Sequence, residues 1–214
     1  VLVGKKPLIF TNNDSGYETA IEFKKNGVEP IILDTRKEPN SEIIEEAKNL
    51  GIQIKFSYVV VAAKGYKKVN AAEIAKISDN KNDLGVLENI NCDCICVSGF
   101  WTPTIHLASQ SGNKTKFDKD IDAFVPGIPK QNETTLGAAN GTFTLEETLK
   151  NSFEAGYELS KKITKNDNKI SYPTVVEKNK TSHDKFWCVP LPKGKTYKRF
   201  LDFQNDVAVS DIEI

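Results

Sequence analysis

Leu8–Arg36, LIFTNNDSGYETAIEFKKNGVEPIILDTR, is the stretch on which the fold turns. Leu8-Ile9-Phe10 is a short apolar run without alternation, the pattern of a strand buried on both faces. Asp14 or Ser15 stands where a side-chain oxygen accepts the free N–H groups that open a helix. Tyr17, Ala20 and Ile21 recur at helical spacing, and Asn26-Gly27 closes the helix on the residue that enters the left-handed region most freely. Pro30 then admits Ile31-Ile32-Leu33, a second apolar run that ends on Asp34. The order is strand, tight turn, helix, strand. Asp34 lies 18 residues beyond Gly16, close to the spacing of the acid that holds an adenosine ribose in a dinucleotide-binding βαβ unit.

The turn itself departs from that pattern. Set on G-x-G-x-x-G/A, it reads Thr11-Asn12-Asn13-Asp14-Ser15-Gly16, and only the last position keeps a small residue. The first two glycines allow a sharp turn and close backbone approach to a pyrophosphate. A Cβ at Thr11 and at Asn13 fills that space. The expectation is a dinucleotide fold that has lost its ligand, with Asn13 and Asp34 as the remnant of a degenerate site.

Working outward, 214 residues make one large domain or two small ones. Lys+Arg and Asp+Glu number 29 each, so the formal charge is zero and nothing attracts a polyanion over distance. Nucleic acid is therefore not an expected partner. No apolar run approaches membrane-spanning length and no secretory pattern opens the sequence, so no membrane association is expected. Four cysteines, three of them at 92, 94 and 96, do not suggest a disulfide framework, which points to a reducing, cytoplasmic setting. The sequence contains no methionine, begins just ahead of a strand and stops where a helix is starting. It reads as an internal piece of a larger polypeptide.

Further along, Pro39 and Asn40-Ser41 set up a second helix with Ile43, Ile44, Ala47 and Leu50 as its buried stripe and Gly51 as its stop. Ile52, Ile54 and Phe56 alternate with Gln53 and Lys55 as in a half-exposed strand. Tyr58–Ala63 and Lys68–Ile77 flank Lys64-Gly65-Tyr66 as a β-hairpin whose second, Ala-rich arm could be partly helical. Cys92–Ser98 reads as a strand with three cysteines on one face. They could ligate a soft metal, but no fourth ligand is near, and core packing is the expectation; no metal site is assigned. Thr102 and Pro103 open a short helix over Ile105–Ser109 that carries His106, read as structural. Thr115–Asp118 and Ala123–Val125 are short strands. Leu136–Phe143 is a small-residue turn leading into a helix from Thr144 to about Thr164, with a Thr144-x-x-Glu147 capping box and a face of Leu145, Leu149, Phe153, Gly156, Tyr157 and Ile163. The helix start suits an anion such as a pyrophosphate, or the small residues serve a close helix–loop contact. Residues 165–181 form a polar linker.

Phe10–Ser15, Asp34–Arg36, Cys92–Gly99 with Trp101 and Pro103, Phe124–Gly127, Gly137–Gly141 and Asp202–Val207 together resemble the α subunit of heterotetrameric sarcosine oxidase. These segments fall in family order over almost the whole chain, and Asp202-Phe-Gln-Asn-Asp-Val207 is the most specific of them. Phe100 stands where the family has glycine. The resemblance implies an α/β fold: a Rossmann-like βαβ dinucleotide-binding domain of the two-dinucleotide flavoprotein reductase type, with part of a second such domain. Residues 1–98 would be the second, NAD-binding-like Rossmann domain. Residues 99–164 would be the returning portion of the first dinucleotide domain, and 165–214 a linker toward a folate-binding aminomethyltransferase-like domain.

The resemblance further implies NAD in the first domain, with Gly137, Asn140 and Gly141 as contacts. Ala138 replaces an aspartate of the reductases. In the whole complex it implies FAD, FMN and tetrahydrofolate, and β, γ and δ subunits as partners. Sarcosine, a small amine bound elsewhere in the assembly, would be demethylated oxidatively to glycine. The one-carbon unit would pass to tetrahydrofolate and the electrons to oxygen. No residue of this chain is assigned a catalytic role. Two other readings stand beside this one: a subunit of a related amino-acid or opine dehydrogenase, and a non-catalytic scaffold with vestigial nucleotide sites.

Overall fold

The computed structural model describes residues 3–99, 101–164, 171, 175, 184–195, 198–202 and 204–212. Phe100, Phe203 and most of the 165–181 stretch lie outside the described residues. The chain divides into two compact units, one formed by Val1–Ser98 with Phe186–Ile214 and the other by Gly99–Lys185.

In the first unit β1 (Pro7–Thr11), α1 (Ser15–Lys25), β2 (Ile31–Asp34), α2 (Glu42–Asn49) and β3 (Gln53–Phe56) follow one another. A three-stranded antiparallel meander comes next, β4 (Tyr58–Gly65), β5 (Val69–Ile77) and β6 (Leu84–Asn91), before β7 (Cys94–Ser98). The parallel sheet has the order β3-β2-β1-β7, with Leu8 opposite both Ile31 and Ile95. Successive strand residues point to opposite faces, and that alternation builds two cores from one sheet. Ile9 and Ile32 pack with Tyr17, Ala20, Ile21, Ile43, Ile44 and Ala47 on the helical side. Leu8 and Leu33 pack with Ala72 and Ile74 of the meander on the other. Each large aliphatic side chain buried there contributes about 1.5–3 kcal/mol.

Several local expectations are corrected. Neither Asp14 nor Ser15 caps α1 with its side chain; the Asn13 carboxamide oxygen accepts the Ser15 N–H instead. Leu50 is only half-buried and ends α2. The Ala-rich arm Val69–Ile77 is strand throughout, and the hairpin has a third partner in β6, whose Asn- and Glu-broken pattern hid it. The three cysteines do not share a face. Cys92 precedes β7 and is buried on the meander side, whereas Cys96 packs against the helical core and Cys94 and Cys96 are half-buried. Near the end of the unit β10 (Phe200–Asp202) pairs with β11 (Val207–Ala208), and the Asp202 carboxylate accepts the amides of Gln204 and Asn205.

In the second unit a five-residue helix α3 (His106–Gln110) is preceded by Ile105 in helical conformation, so Thr102 and Pro103 do not start it. His106 is exposed. β8 (Thr115–Asp118) and β9 (Ala123–Pro126) form an antiparallel pair with Phe117 edge-on to Phe124. A 3-10 turn over Gly137–Asn140 leads to α4 (Leu145–Thr164). Thr144 and Glu147 form the expected capping pair, Oγ1 to Oε2 2.9 Å and Glu147 N to Oγ1 3.4 Å. The expected buried face of α4 is not buried: no residue of the helix is.

Candidate functional site

In an open parallel sheet, ligands bind outside the carboxyl ends of the strands where the strand order reverses. Here that point lies between β1 and β7, at the turn Thr11–Ser15. The side chains of Thr11, Asn12, Asn13 and Asp14 are buried there. The Thr11 hydroxyl donates to the Asn13 carbonyl at 2.8 Å and accepts the Asn13 N–H at 3.1 Å. The Asn13 Nδ2 donates to Asn12 Oδ1 at 2.9 Å and to the Ser98 carbonyl at 3.2 Å. Its Oδ1 accepts both the Ser15 N–H at 2.9 Å and the Ser15 hydroxyl at 2.6 Å. The Ser15 hydroxyl also meets that of Ser98 at 2.6 Å. A carboxamide thus sits at the opening of α1, where a pyrophosphate would accept the same N–H groups.

Gly16 keeps the third glycine's role. A Cβ there would fall 2.6 Å from Thr11 Cβ, so the helix runs against β1 only because this residue is bare.

The acid at the end of β2 is also engaged. Asp34, fully buried, receives the Arg36 Nε at 3.0 and 3.1 Å, the Arg36 Nη2 at 2.8 Å, the Arg36 backbone N–H at 2.9 Å and the Tyr17 hydroxyl at 2.7 Å. Arg36 Nη1 reaches Asp14 Oδ1 at 2.7 Å, and Ser41 donates to Asp14 Oδ2 at 3.2 Å. Two buried carboxylates therefore share one buried guanidinium. Burial lifts the Tyr17 phenol far above its ordinary value, and Asp34 adds to the shift. Burial works against the charge on Arg36, but hydrogen bonds and attraction from Asp34 and Asp14 more than offset it and raise its value.

These residues do not fit a dinucleotide. Its pyrophosphate needs free backbone N–H groups and its ribose a free acid, and side chains hold both. The Thr35 hydroxyl is the one buried side-chain polar atom without a partner among the described residues, and a single hydroxyl does not make a nucleotide's donor set. A groove at the start of α2, lined by Asn40, Glu42, Glu45, Glu46 and Asn49, is acidic and repels a phosphate.

Gly137, Asn140 and Gly141 lie together in the turn before α4. A Cβ on Gly141, at φ 82°, would meet Ile121 Cδ1 at 2.6 Å and Val125 Cγ1 at 3.3 Å, and one on Gly137 would meet Thr148 Cγ2 at 3.1 Å. Both glycines have packing reasons to be small, while Asn140 is exposed. Asn13 and Asp34 belong to the other unit, Asn13 in the turn after β1 and Asp34 at the end of β2. The participation of Tyr17 and Ser98 was not read from the sequence. Arg36, two residues past Asp34 and so on the same face of an extended segment, carried the available signal. Among the described residues no group of three or more His, Cys, Asp or Glu could hold a metal, and no helix is long and apolar enough to cross a membrane.

No protein-family model matches the chain. It is 31% identical over 219 residues to the sarcosine oxidase subunit alpha of Rhizobium meliloti (strain 1021), a match covering 99% of this chain and 20% of that protein. It is 25% identical over 226 residues to the sarcosine oxidase subunit alpha of Corynebacterium sp. (strain P-1), covering 99% and 22%. The chain is thus similar to these α subunits along nearly its whole length and spans about a fifth of theirs. Among solved structures, the Cu(II) complex of a mutant of the HOCl-induced flavoprotein disulfide reductase RclA from Escherichia coli superposes with a TM-score of 0.54 at 15% identity, over 73% of this chain and 36% of that one. The complex of the parent RclA gives 0.51 at 13% identity, over 76% and 36%. The fold is α/β and Rossmann-like, of the kind found in flavoprotein disulfide reductases.

Proposed function

We propose that this chain supplies nucleotide-domain scaffold to the α subunit of a sarcosine-oxidase-like flavoenzyme, an oxidoreductase acting on the CH–NH group of a small amine. The similarity to two α subunits over 99% of the chain supports the assignment. The observation that carries the scaffold role is the filled turn, in which Asn13 and Arg36 take the hydrogen-bonding places of a dinucleotide. In this proposal NAD is held by the first dinucleotide domain, with Gly137, Asn140 and Gly141 at its edge. FAD, FMN and tetrahydrofolate are bound elsewhere in a cytoplasmic assembly with β, γ and δ subunits. Demethylation of sarcosine to glycine, transfer of the one-carbon unit to the folate and reduction of oxygen take place on residues outside this chain.

The test is purification of the assembly that contains this chain, with cofactor content and sarcosine-dependent oxygen uptake measured together. Turnover with one NAD per α subunit is expected. Absence of sarcosine turnover overturns the substrate. Two NAD per α subunit, one of them lost on Asp34→Ala substitution, overturns the scaffold role of residues 1–98.

A further inference from the structure

Cys94 and Cys96 are two residues apart on β7, and their sulfurs lie 3.7 Å from each other. Both are free and half-buried, whereas Cys92 is buried on the opposite face of the sheet and Cys188 is exposed. Two residues of strand advance the chain by about 6.6 Å, inside the Cα separation of roughly 4.4–6.8 Å that a disulfide spans. The register places Pro7 opposite Cys94, and proline has no N–H to give the ladder. Among the described residues β7 is the edge strand of its sheet, so no second neighbouring strand opposes a small shift of its backbone.

We propose that Cys94 and Cys96 form a reversible oxidation site, in which a hydroperoxide converts the dithiol to an intrastrand disulfide. The Cys94 sulfur attacks the peroxide, the O–O bond breaks, and Cys94 becomes a sulfenic acid while an alcohol or water leaves. The Cys96 sulfur then attacks the sulfenic sulfur, forming the S–S bond and releasing water. Two thiols are oxidised and one peroxide is reduced. Burial, and then the neighbouring Cys94, push the Cys96 thiol up to about 11, which keeps it protonated and makes it the poorer attacker of the peroxide. A disulfide held near the long end of that Cα range is strained and hence readily reduced by thiols. Its closure would pull on Ser98, at the end of the same strand, whose carbonyl and hydroxyl hold Asn13 and Ser15. None of this depends on which amine the assembly oxidises.

The experiment uses the full chain carrying Cys188→Ser, so that the exposed thiol cannot exchange. Reduced protein is exposed to hydrogen peroxide, denatured, alkylated and mapped by mass spectrometry. The peptide holding all three remaining cysteines is expected to take one alkyl group, at Cys92, and to take three after treatment with dithiothreitol. With Cys96→Ser, Cys94 is expected to label with a sulfenic-acid trap; with Cys94→Ser, Cys96 is expected to remain alkylatable. Three alkyl groups after peroxide, a disulfide that includes Cys92, or sulfinic acid at Cys94 beside an alkylated Cys96 would each overturn the proposal. Should either variant fail to fold, the map of the protein with both thiols intact decides alone.

Discussion

Replacing Arg36 by methionine removes the guanidinium that bridges Asp14 and Asp34. Its side chain donates to both Asp34 oxygens and to Asp14 at 2.7–3.1 Å, and both carboxylates are almost inaccessible to water. Water cannot take the place of the lost donors without opening the turn. Breaking a buried ion pair by removing one partner costs about 3–5 kcal/mol, against a whole-domain stability of roughly 5–15 kcal/mol. Arg36→Met is therefore expected to lower the urea midpoint sharply, followed by circular dichroism, with an unchanged slope. The cost is that of stranded charge rather than of a lost attraction. Removing the carboxylates as well, in Asp14→Asn/Asp34→Asn/Arg36→Met, should recover much of it. A loss under about 1 kcal/mol, the scale of an exposed pair, or a triple variant no better than the single one, would refute the buried-bridge account.

Tyr17 should confer an alkaline limit on stability. Its folded value is raised, by burial first and Asp34 second, so the stabilisation is complete below the unfolded value of about 10 and is lost as pH rises above it. Tyr17→Phe is expected to flatten that decline in urea titrations at high pH, and an unaltered profile would contradict it. Gly16→Ala should destabilise by about 1–3 kcal/mol through the 2.6 Å approach to Thr11 Cβ. Thr11→Gly should relieve the added cost in a double-mutant cycle, and strict additivity would show that the two positions do not touch. On α4, Phe153→Gln and Ile163→Lys should each alter the unfolding free energy by no more than about 0.5 kcal/mol, because the two side chains are 41% and 73% exposed. A cost near 2 kcal/mol in thermal melts would mean that they are core residues.

The parts of the fold legible in the sequence were those with a one-dimensional cause. Leu8-Ile9-Phe10 and Ile31-Ile32-Leu33 had to be strands covered on both sides, and the helix between them was fixed by Tyr17, Ala20 and Ile21. Both faces of the sheet are indeed covered. β6 was invisible because its covering is one-sided and its polar positions, Glu88, Asn89 and Asn91, do not alternate cleanly with apolar ones. The cysteines were misplaced for a related reason. Period-two reasoning assumes an unbroken strand, and Asp93 breaks it by turning its carboxylate to the amides of Lys5 and Lys6 at 2.8 and 2.7 Å. The helix start failed similarly. Asp14 has the right chemistry to cap α1, but Arg36 and Ser41 compete for its oxygens, and neither competitor is near it in sequence.

The turn shows how a nucleotide fold can stay closed without its nucleotide. A glycine-rich turn presents bare amides that a pyrophosphate satisfies; replacing the glycines leaves those amides to be satisfied from within. Asn13 does so at the helix start, and it is held there by Ser98 from the neighbouring strand. An acid at the end of the second strand would likewise be a buried, unpaired charge once no ribose engaged it. Arg36 and Tyr17 supply the missing donors. Neither exchange works by halves. Glycine at Thr11 and Asn13 alone would admit a pyrophosphate but leave Arg36 on the ribose acid, and Arg36→Ala alone would leave the carboxamide against the helix. Binding of NAD to this turn should therefore need changes at both ends, with neither set alone producing a measurable thermal shift on addition of NAD. A shift from Arg36→Ala by itself would show that the carboxamide is no barrier and that one arginine closes the site.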